Sequence, residues 1–146
     1  MSVFDEVLAA HHEAAHVVAA LAFPELIALH DATITGGAGK VRYWLREQSK
    51  RAHAALAVFL LAGVEADEDD LDGPAGDETQ LAGVLDRLNL RGAARSRQTG
   101  RWRAEAVAIL HRERRLVEAI ANHLVAVKRL TAAEIATIAG EASWTR

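Results

Sequence analysis

The strongest constraint on the fold of this chain comes from residues 7–25, which read VLAAHHEAAHVVAALAFPE. Its alanines and valines predict a buried helix, because alanine has the highest helix propensity and a helix that is apolar all round belongs in a core. Yet the same stretch carries His12, Glu13 and His16. Polar side chains are costly to bury unless they have partners. The helix therefore predicts a polar site inside the protein.

The ends of this first helix can also be read from the sequence. Ser2 and Asp5 have the spacing of a capping box, which predicts that the helix begins there. Phe23-Pro24 should end it near Leu21, because the residue before a proline is pushed out of the helical region.

The composition indicates a single, mainly helical domain that covers residues 1–146. A chain of 146 residues can bury a core without disulfides. Half of the residues are apolar, alanine is abundant and aromatic residues are few. The chain has no cysteine, which excludes disulfides, thiolate metal ligands and cysteine nucleophiles.

The rest of the chain predicts a small β-hairpin and further helices. The runs HDATIT and KVRYWL flank the glycine turn GGAG, as in a hairpin. The segment RGAARSRQTGRWR resembles an exposed connection. Thr131 and Glu134 form a second capping box, which opens a short last helix. The other predicted helices are residues 47–66, about 77–90 and roughly 102–126. The predicted class is mainly α (α+β).

No segment has the length of a membrane span. The longest strongly apolar run, Ala54–Val64, is far shorter than the roughly 20 residues that a bilayer requires. Asp5 and Glu6 stand where a signal peptide has basic residues. These observations predict a soluble, cytoplasmic protein with no membrane partner.

The polar residues of the first helix form the pattern H-E-x-x-H, from His12 to His16. Residues i and i+4 lie on one face of a helix, so both imidazoles can face one metal ion. Zinc accepts imidazole nitrogens and, with three protein ligands, leaves a position for water. Glu13 follows the first histidine and can take a proton from a water that the metal activates. Alternatively, the two histidines belong to a half-exposed face without a metal.

A metal site of this kind needs a third ligand. It could be another histidine or a carboxylate, and the composition does not choose between them. The carboxylates concentrate in one acidic segment, which could also be an ordinary solvated loop: Glu65, Asp67, Glu68, Asp69, Asp70, Asp72, Asp77 and Glu78.

Several motifs in order resemble the peptidase domain of the FtsH family of ATP-dependent zinc proteases. They are HEAAH, ATITGGAGKVRYW, LAGVEADE, GPAGD and KRLTAAEI, and together they span most of the chain. The resemblance implies a helical zinc-peptidase fold in which His12, His16 and Asp77 bind Zn²⁺ and Glu13 is the general base. Asp77 falls on the aspartate of the family's G-A-x-x-D motif, and Glu65 is the second choice.

The sequence also departs from the family pattern. Ala15 replaces the glycine of H-E-A-G-H, and Val64 replaces the arginine of G-G-R. The chain has no G-x-x-x-x-G-K-[ST] phosphate loop. A separate ATPase partner would therefore be needed to unfold folded substrates. Since FtsH-type peptidase domains form rings, the resemblance also implies a homo-oligomer.

Two further segments have more than one interpretation. Val41, Arg42 and Tyr43 resemble the strand that FtsH-type peptidases offer to an extended substrate, which can add to a free strand edge. The hairpin could equally be structural, with Tyr43 and Trp44 in the core. Residues 87–115 contain nine arginines and two acids. A solvated surface or a contact with the acidic segment of a neighbouring subunit is expected there, and nucleic acid is an unlikely partner.

The sequence thus predicts a zinc-dependent metallopeptidase that hydrolyses peptide bonds in peptides or unfolded segments. The alternative is a non-catalytic peptide-binding or assembly module with the same fold, with or without a structural metal. A weaker third hypothesis is an arginine-mediated nucleic-acid binder.

Overall fold

The computed structural model describes residues 3–66 and 75–142, with the backbone alone for 75–77. Within these ranges the chain is mainly helical and has a small three-stranded antiparallel sheet, which confirms the predicted class at this level. The elements are α1 Val3–Leu21, β1 Ile27–Thr35, β2 Ala38–Leu45, α2 Lys50–Ala66, α3 Ala75–Arg87, α4 Gly92–Arg112, α5 Arg114–Val127, β3 Arg129–Thr131 and α6 Ala132–Glu141.

The first helix and the hairpin follow the sequence closely. α1 ends at Leu21, as the proline predicts. β1 and β2 pair antiparallel up to Thr35 opposite Ala38, so the turn consists of Gly36 and Gly37 alone. Gly36 has φ 61°, a value at which a residue with a Cβ is strained. The glycine pair therefore permits the tight turn that brings β2 back along β1.

A third strand and a capped helix follow near the C-terminus. β3 pairs antiparallel with β1 and gives the strand order β2-β1-β3, so β1 is central. The sequence did not predict β3, because three residues carry no measurable alternation. The predicted capping box is confirmed: the Glu134 N–H donates to Thr131 Oγ1 at 3.2 Å, and the Thr131 N–H donates to Glu134 Oε1 at 3.0 Å.

Two predictions for the arginine-rich region are wrong. RGAARSRQTGRWR is not an exposed connection, because α4 begins at Gly92 and contains most of it. Arginine, alanine and glutamine are good helix formers, and Trp102, Ala106 and Ile109 give α4 a buried face. The helix expected over 102–126 is broken at Glu113, where α4 ends and α5 follows. α4 packs against α2 whereas α5 packs against α1, so the chain has to change direction between them.

α1 occupies the centre of the core. It packs against α2, α5 and both hairpin strands. Its small side chains let these elements approach closely, and Ala14, Ala15, Val17 and Val18 are fully buried. The enclosure of α1 explains why polar residues on this helix lie inside the protein. In the two described ranges, no helix combines the length and the apolar character that crossing a membrane requires.

An ion cluster around one buried aspartate joins the three strands, and its two arginines are half-exposed. Asp31 on β1 is 0% exposed. Its Oδ1 accepts from Arg42 Nε at 2.7 Å, its Oδ2 accepts from Arg42 Nη2, and Arg129 Nε donates to Oδ2 at 3.0 Å. The hydrogen bond from Arg42 holds the pKa of the Asp31 carboxyl well below its usual range; burial opposes this shift and Arg129 adds to it. One carboxylate thus connects β2 and β3 to β1.

Candidate metal centre

The two histidines of the H-E-x-x-H pattern meet on one face of α1. His12 Nε2 lies 3.1 Å from His16 Nε2, and Glu13 Oε1 lies 3.9 Å from His12 Nε2. Glu13 and His16 are only 4% and 3% exposed. One potential ligand atom from each of the three residues lies within 4.8 Å of the others. This buried His-Glu-His group could bind a metal ion.

The orientation of His16 is fixed by α2. Its Nδ1 lies 2.8 Å from the carbonyl oxygen of Phe59, and this bond is buried. A carbonyl only accepts hydrogen bonds, so the proton of the neutral ring resides on Nδ1 and the lone pair on Nε2 faces His12. Metal-binding histidines are commonly held in this way, through the nitrogen that does not bind the metal. The Phe59 ring packs on the imidazole, with 4.7 Å between ring centres.

Two glycines border the group at very short range. A Cβ at Gly63 of α2 would lie 2.2 Å from His16 Nε2 and 2.9 Å from His12 Cε1. A Cβ at Gly39 of β2 would lie 2.5 Å from Glu13 Cγ. The sequence predicts Gly39 as part of the turn GGAG and Gly63 as part of the motif LAGVEADE, with no sign that either lies against the centre. These contacts depend on how the elements pack, which spacing along the chain does not report.

The donor atoms suit an ion that prefers nitrogen and oxygen ligands. Two imidazole nitrogens bound at about 2.0–2.1 Å to a tetrahedral zinc lie roughly 3.3 Å apart, close to the observed separation. Because Gly63 has no side chain, the space next to His16 Nε2 and His12 Cε1 is not filled by a Cβ. The residues present therefore fit a metal of the zinc type.

The candidates for a third ligand have different positions. The side chain of Asp77 lies outside the described residues, although its backbone belongs to the first turn of α3. Gln80, one turn further on, lines the same cleft as the histidines. Glu65 is not part of the group; its Oε1 lies 2.9 Å from Nε of Arg103 on α4. Glu65, the second choice for the third metal ligand, thus pairs with Arg103 instead.

An open cleft of about 590 Å³ leads to the group, and β2 forms one wall of it. Among the described residues, no strand pairs with the outer edge of β2. Val41, Arg42 and Tyr43 all line the cleft. Val41 is largely buried, and Tyr43 packs on Phe59 with 4.6 Å between ring centres. Tyr43 thus lies partly in the core, as the structural interpretation of the hairpin expected, whereas Trp44 is half-exposed.

Residues 87–115 do not line this cleft, and part of their charge is neutralised within the same chain. Arg103 pairs with Glu65, and Arg95 Nη1 lies 2.8 Å from Asp86 Oδ1. The acidic segment thus begins beside α4 of its own chain. This pairing provides a partner for part of the arginine charge without a neighbouring subunit.

Comparison with known proteins gives no family for this chain. No protein-family model matches the sequence, and no curated protein matches it either.

Proposed function

We propose that this protein is a zinc-dependent metallopeptidase that hydrolyses peptide bonds in peptides or unfolded protein segments. The observation that carries the proposal is the buried convergence of His12 Nε2 and His16 Nε2, 3.1 Å apart, beside the Glu13 carboxylate. The resemblance of the ordered motifs to the FtsH peptidase domain supports the same function. His12, His16 and the Asp77 carboxylate would hold the zinc ion.

Each residue of the site has a distinct part in this mechanism. Bound zinc supplies Lewis-acid chemistry, which activates water and polarises a carbonyl oxygen. Glu13 follows His12 directly, so its carboxylate can reach the attacking water rather than the metal, and it accepts the proton of that water. The same carboxyl group then delivers the proton to the leaving amine nitrogen. Phe59 orients His16 through its carbonyl oxygen.

The outer edge of β2 is the proposed binding site for the substrate backbone. An extended peptide can add to such an edge through main-chain hydrogen bonds, which tolerate many side-chain sequences. Val41 and Tyr43 border the path from this edge to Glu13. Arg42 also lines the cleft, but its guanidinium is bound to Asp31. Its main role is therefore to connect β2 to β1, and substrate recognition comes second.

The test is Glu13→Gln, compared with the wild type for zinc content and for cleavage of a denatured, labelled protein. Glutamine has nearly the shape of glutamate but cannot accept the proton. We expect zinc to stay bound and cleavage to fall by about 10²–10⁴-fold, the usual contribution of a general base. Equal cleavage by both forms would contradict the mechanism.

The same experiment separates the proposal from its alternative. A wild type that binds zinc but cleaves no unfolded protein would favour the non-catalytic binding module. A wild type that binds no zinc at neutral pH would remove the metallopeptidase proposal altogether. A homo-oligomer and a separate ATPase that delivers unfolded chains remain part of the proposal, and light scattering of the purified protein tests the first.

A further inference from the structure

We propose that Gly39 and Gly63 are positioning residues that form a backbone clamp around the centre, Gly63 against the two imidazoles and Gly39 against the general base. The roles given to His12, Glu13 and His16 rest on the proposed function. The contacts that the two glycines make with these residues do not depend on it. The glycine clamp, as these two positions are called below, joins three elements: α1 supplies the polar side chains, α2 supplies Gly63 and β2 supplies Gly39.

The Gly63 contact leaves no room for any side chain. Real Cβ atoms essentially never approach another heavy atom below 3.0 Å, whereas an added Cβ would lie 2.2 and 2.4 Å from Nε2 and Cε1 of His16. His16 cannot retreat easily, because its Nδ1 is bonded to the Phe59 carbonyl and its ring packs on Phe59. Any side chain at position 63 would therefore displace the Nε2 atom that should bind the metal.

The Gly39 contact restrains the carboxylate in the same way. An added Cβ would lie 2.5 Å from Cγ, 2.6 Å from Oε2 and 2.9 Å from Cδ of Glu13. Glu13 is thus packed against the backbone of the edge strand that lines the cleft. The backbone conformation does not require a glycine at position 39, because φ there is not positive. The contact with Glu13 supplies the reason.

A double-mutant cycle tests the Gly63 contact in metal-free protein. Gly63→Ala should lower the melting temperature of the wild type, although alanine is the better helix former. In the His16→Ala background only the 2.9 Å approach to His12 Cε1 is left, so the same substitution should lower the melting temperature far less. Gly100→Ala on α4 is the matched control, because nothing lies within 4 Å of a Cβ there; it should raise the melting temperature in both backgrounds.

A second cycle tests Gly39 with Glu13→Ala. Gly39→Ala should destabilise the wild type and stabilise the Glu13→Ala variant, since glycine weakens a strand interior. A coupling between the paired positions is the signature of direct contact. If either glycine substitution has the same effect with and without its partner side chain, the corresponding contact is not what restrains position 39 or 63.

Metal binding separates the two halves of the clamp. With Co²⁺ as the probe, followed by its visible absorption, Gly63→Ala should weaken binding by about 10–100-fold, the usual range for a group that orients a ligand. Gly39→Ala should leave the Co²⁺ spectrum and affinity unchanged and lower kcat for unfolded protein. Equal Co²⁺ affinity of wild type and Gly63→Ala would overturn the clamp while leaving the metallopeptidase proposal intact. Absence of Co²⁺ binding by the wild type would overturn both.

Discussion

The Asp31 cluster and the His12–Glu13–His16 group both place polar side chains in the interior, but they are balanced differently. Around Asp31, one carboxylate accepts hydrogen bonds from two guanidinium groups, so opposite charges lie in direct contact. Around His16, the hydrogen bond from Nδ1 to Phe59 leaves Nε2 as an electron-pair donor, and it faces another imidazole and a carboxylate. The first set is complete with protein groups, whereas the second has the composition of a metal ligand set.

We therefore expect a structural role for the Asp31 cluster and a metal-binding role for the histidine group. Ion pairs inside proteins persist when every partner is satisfied, and removal of one side is costly. A group rich in electron-pair donors can instead bind a cation from outside the chain. The Asp31 cluster should therefore respond to substitutions and to acid, whereas the histidine group should respond to metal.

The largest expected effect comes from removal of both arginines around Asp31. Arg42→Gln combined with Arg129→Gln leaves a fully buried carboxylate without its cations. Both guanidinium groups are about half-exposed, so we expect the free energy of unfolding at neutral pH to fall by at most about 3–5 kcal/mol, the range for fully buried pairs. Urea unfolding measures this change.

The matched control for this double variant replaces two exposed arginines of α4, Arg97→Gln with Arg101→Gln. Neither forms an ion pair among the described residues, and surface substitutions of this kind usually change stability by less than about 0.5 kcal/mol. A similar loss in both double variants would mean that total charge, and not the contact with Asp31, determines the effect.

The second effect is stabilisation by zinc. A ligand present at 100 times its dissociation constant stabilises the native state by about 2.7 kcal/mol. We expect added zinc to stabilise the wild type by this amount and to have no effect on His16→Ala. Thermal unfolding with and without zinc measures both.

His11→Ala is the control for the zinc experiment. His11 adjoins His12, but its Nδ1 is bonded to the Val7 carbonyl at 2.9 Å and it is not part of the metal group. The response to zinc should therefore survive in this variant. Stabilisation of His16→Ala by zinc would place the binding site elsewhere.

The sequence predicted those features that depend on neighbours along the chain. The end of α1 at Leu21, the glycine turn and the capping box at Thr131 each follow from residues within a few positions of one another, whereas Ser2, where the sequence predicts the start of α1, lies outside the described residues. The meeting of His12 and His16 is of the same kind, because i and i+4 share a helix face.

Features that depend on packing were missed. The break at Glu113 arises because α4 and α5 have different partners in the core, and no proline or glycine marks it. β3 exists because Arg129–Thr131 lies beside β1, and its sequence has no strand pattern. The contacts of Gly39 and Gly63 connect residues from separate elements, so one sequence without relatives does not reveal them.

The smallest expected effect, and the one that tests the Asp31 cluster most selectively, is its dependence on pH. The pKa of Asp31 is lowered in the folded protein, whereas in the unfolded chain it has the ordinary value of about 3.9. Its stabilising contribution is therefore fully present above that pH and is lost as the pH falls below it towards the folded value. One proton of difference gives a slope of at most about 1.4 kcal/mol per pH unit.

Comparison of the wild type with Asp31→Asn isolates this contribution. Other carboxyl groups also titrate in acid, among them Glu47 and Glu134, whose pKa values are lowered by hydrogen bonds from Arg51 and from the Thr131 backbone. These groups are present in both proteins, so their effect cancels in the difference. We expect the stability advantage of the wild type to be constant from pH 7 to about pH 5 and to shrink below about pH 4, where unfolded Asp31 takes up its proton. Urea unfolding at each pH gives the difference directly. An advantage that stays constant into acid would show that Asp31 acts through its shape and hydrogen bonds and not through its charge, and the contrast with the metal group would then lose its electrostatic basis.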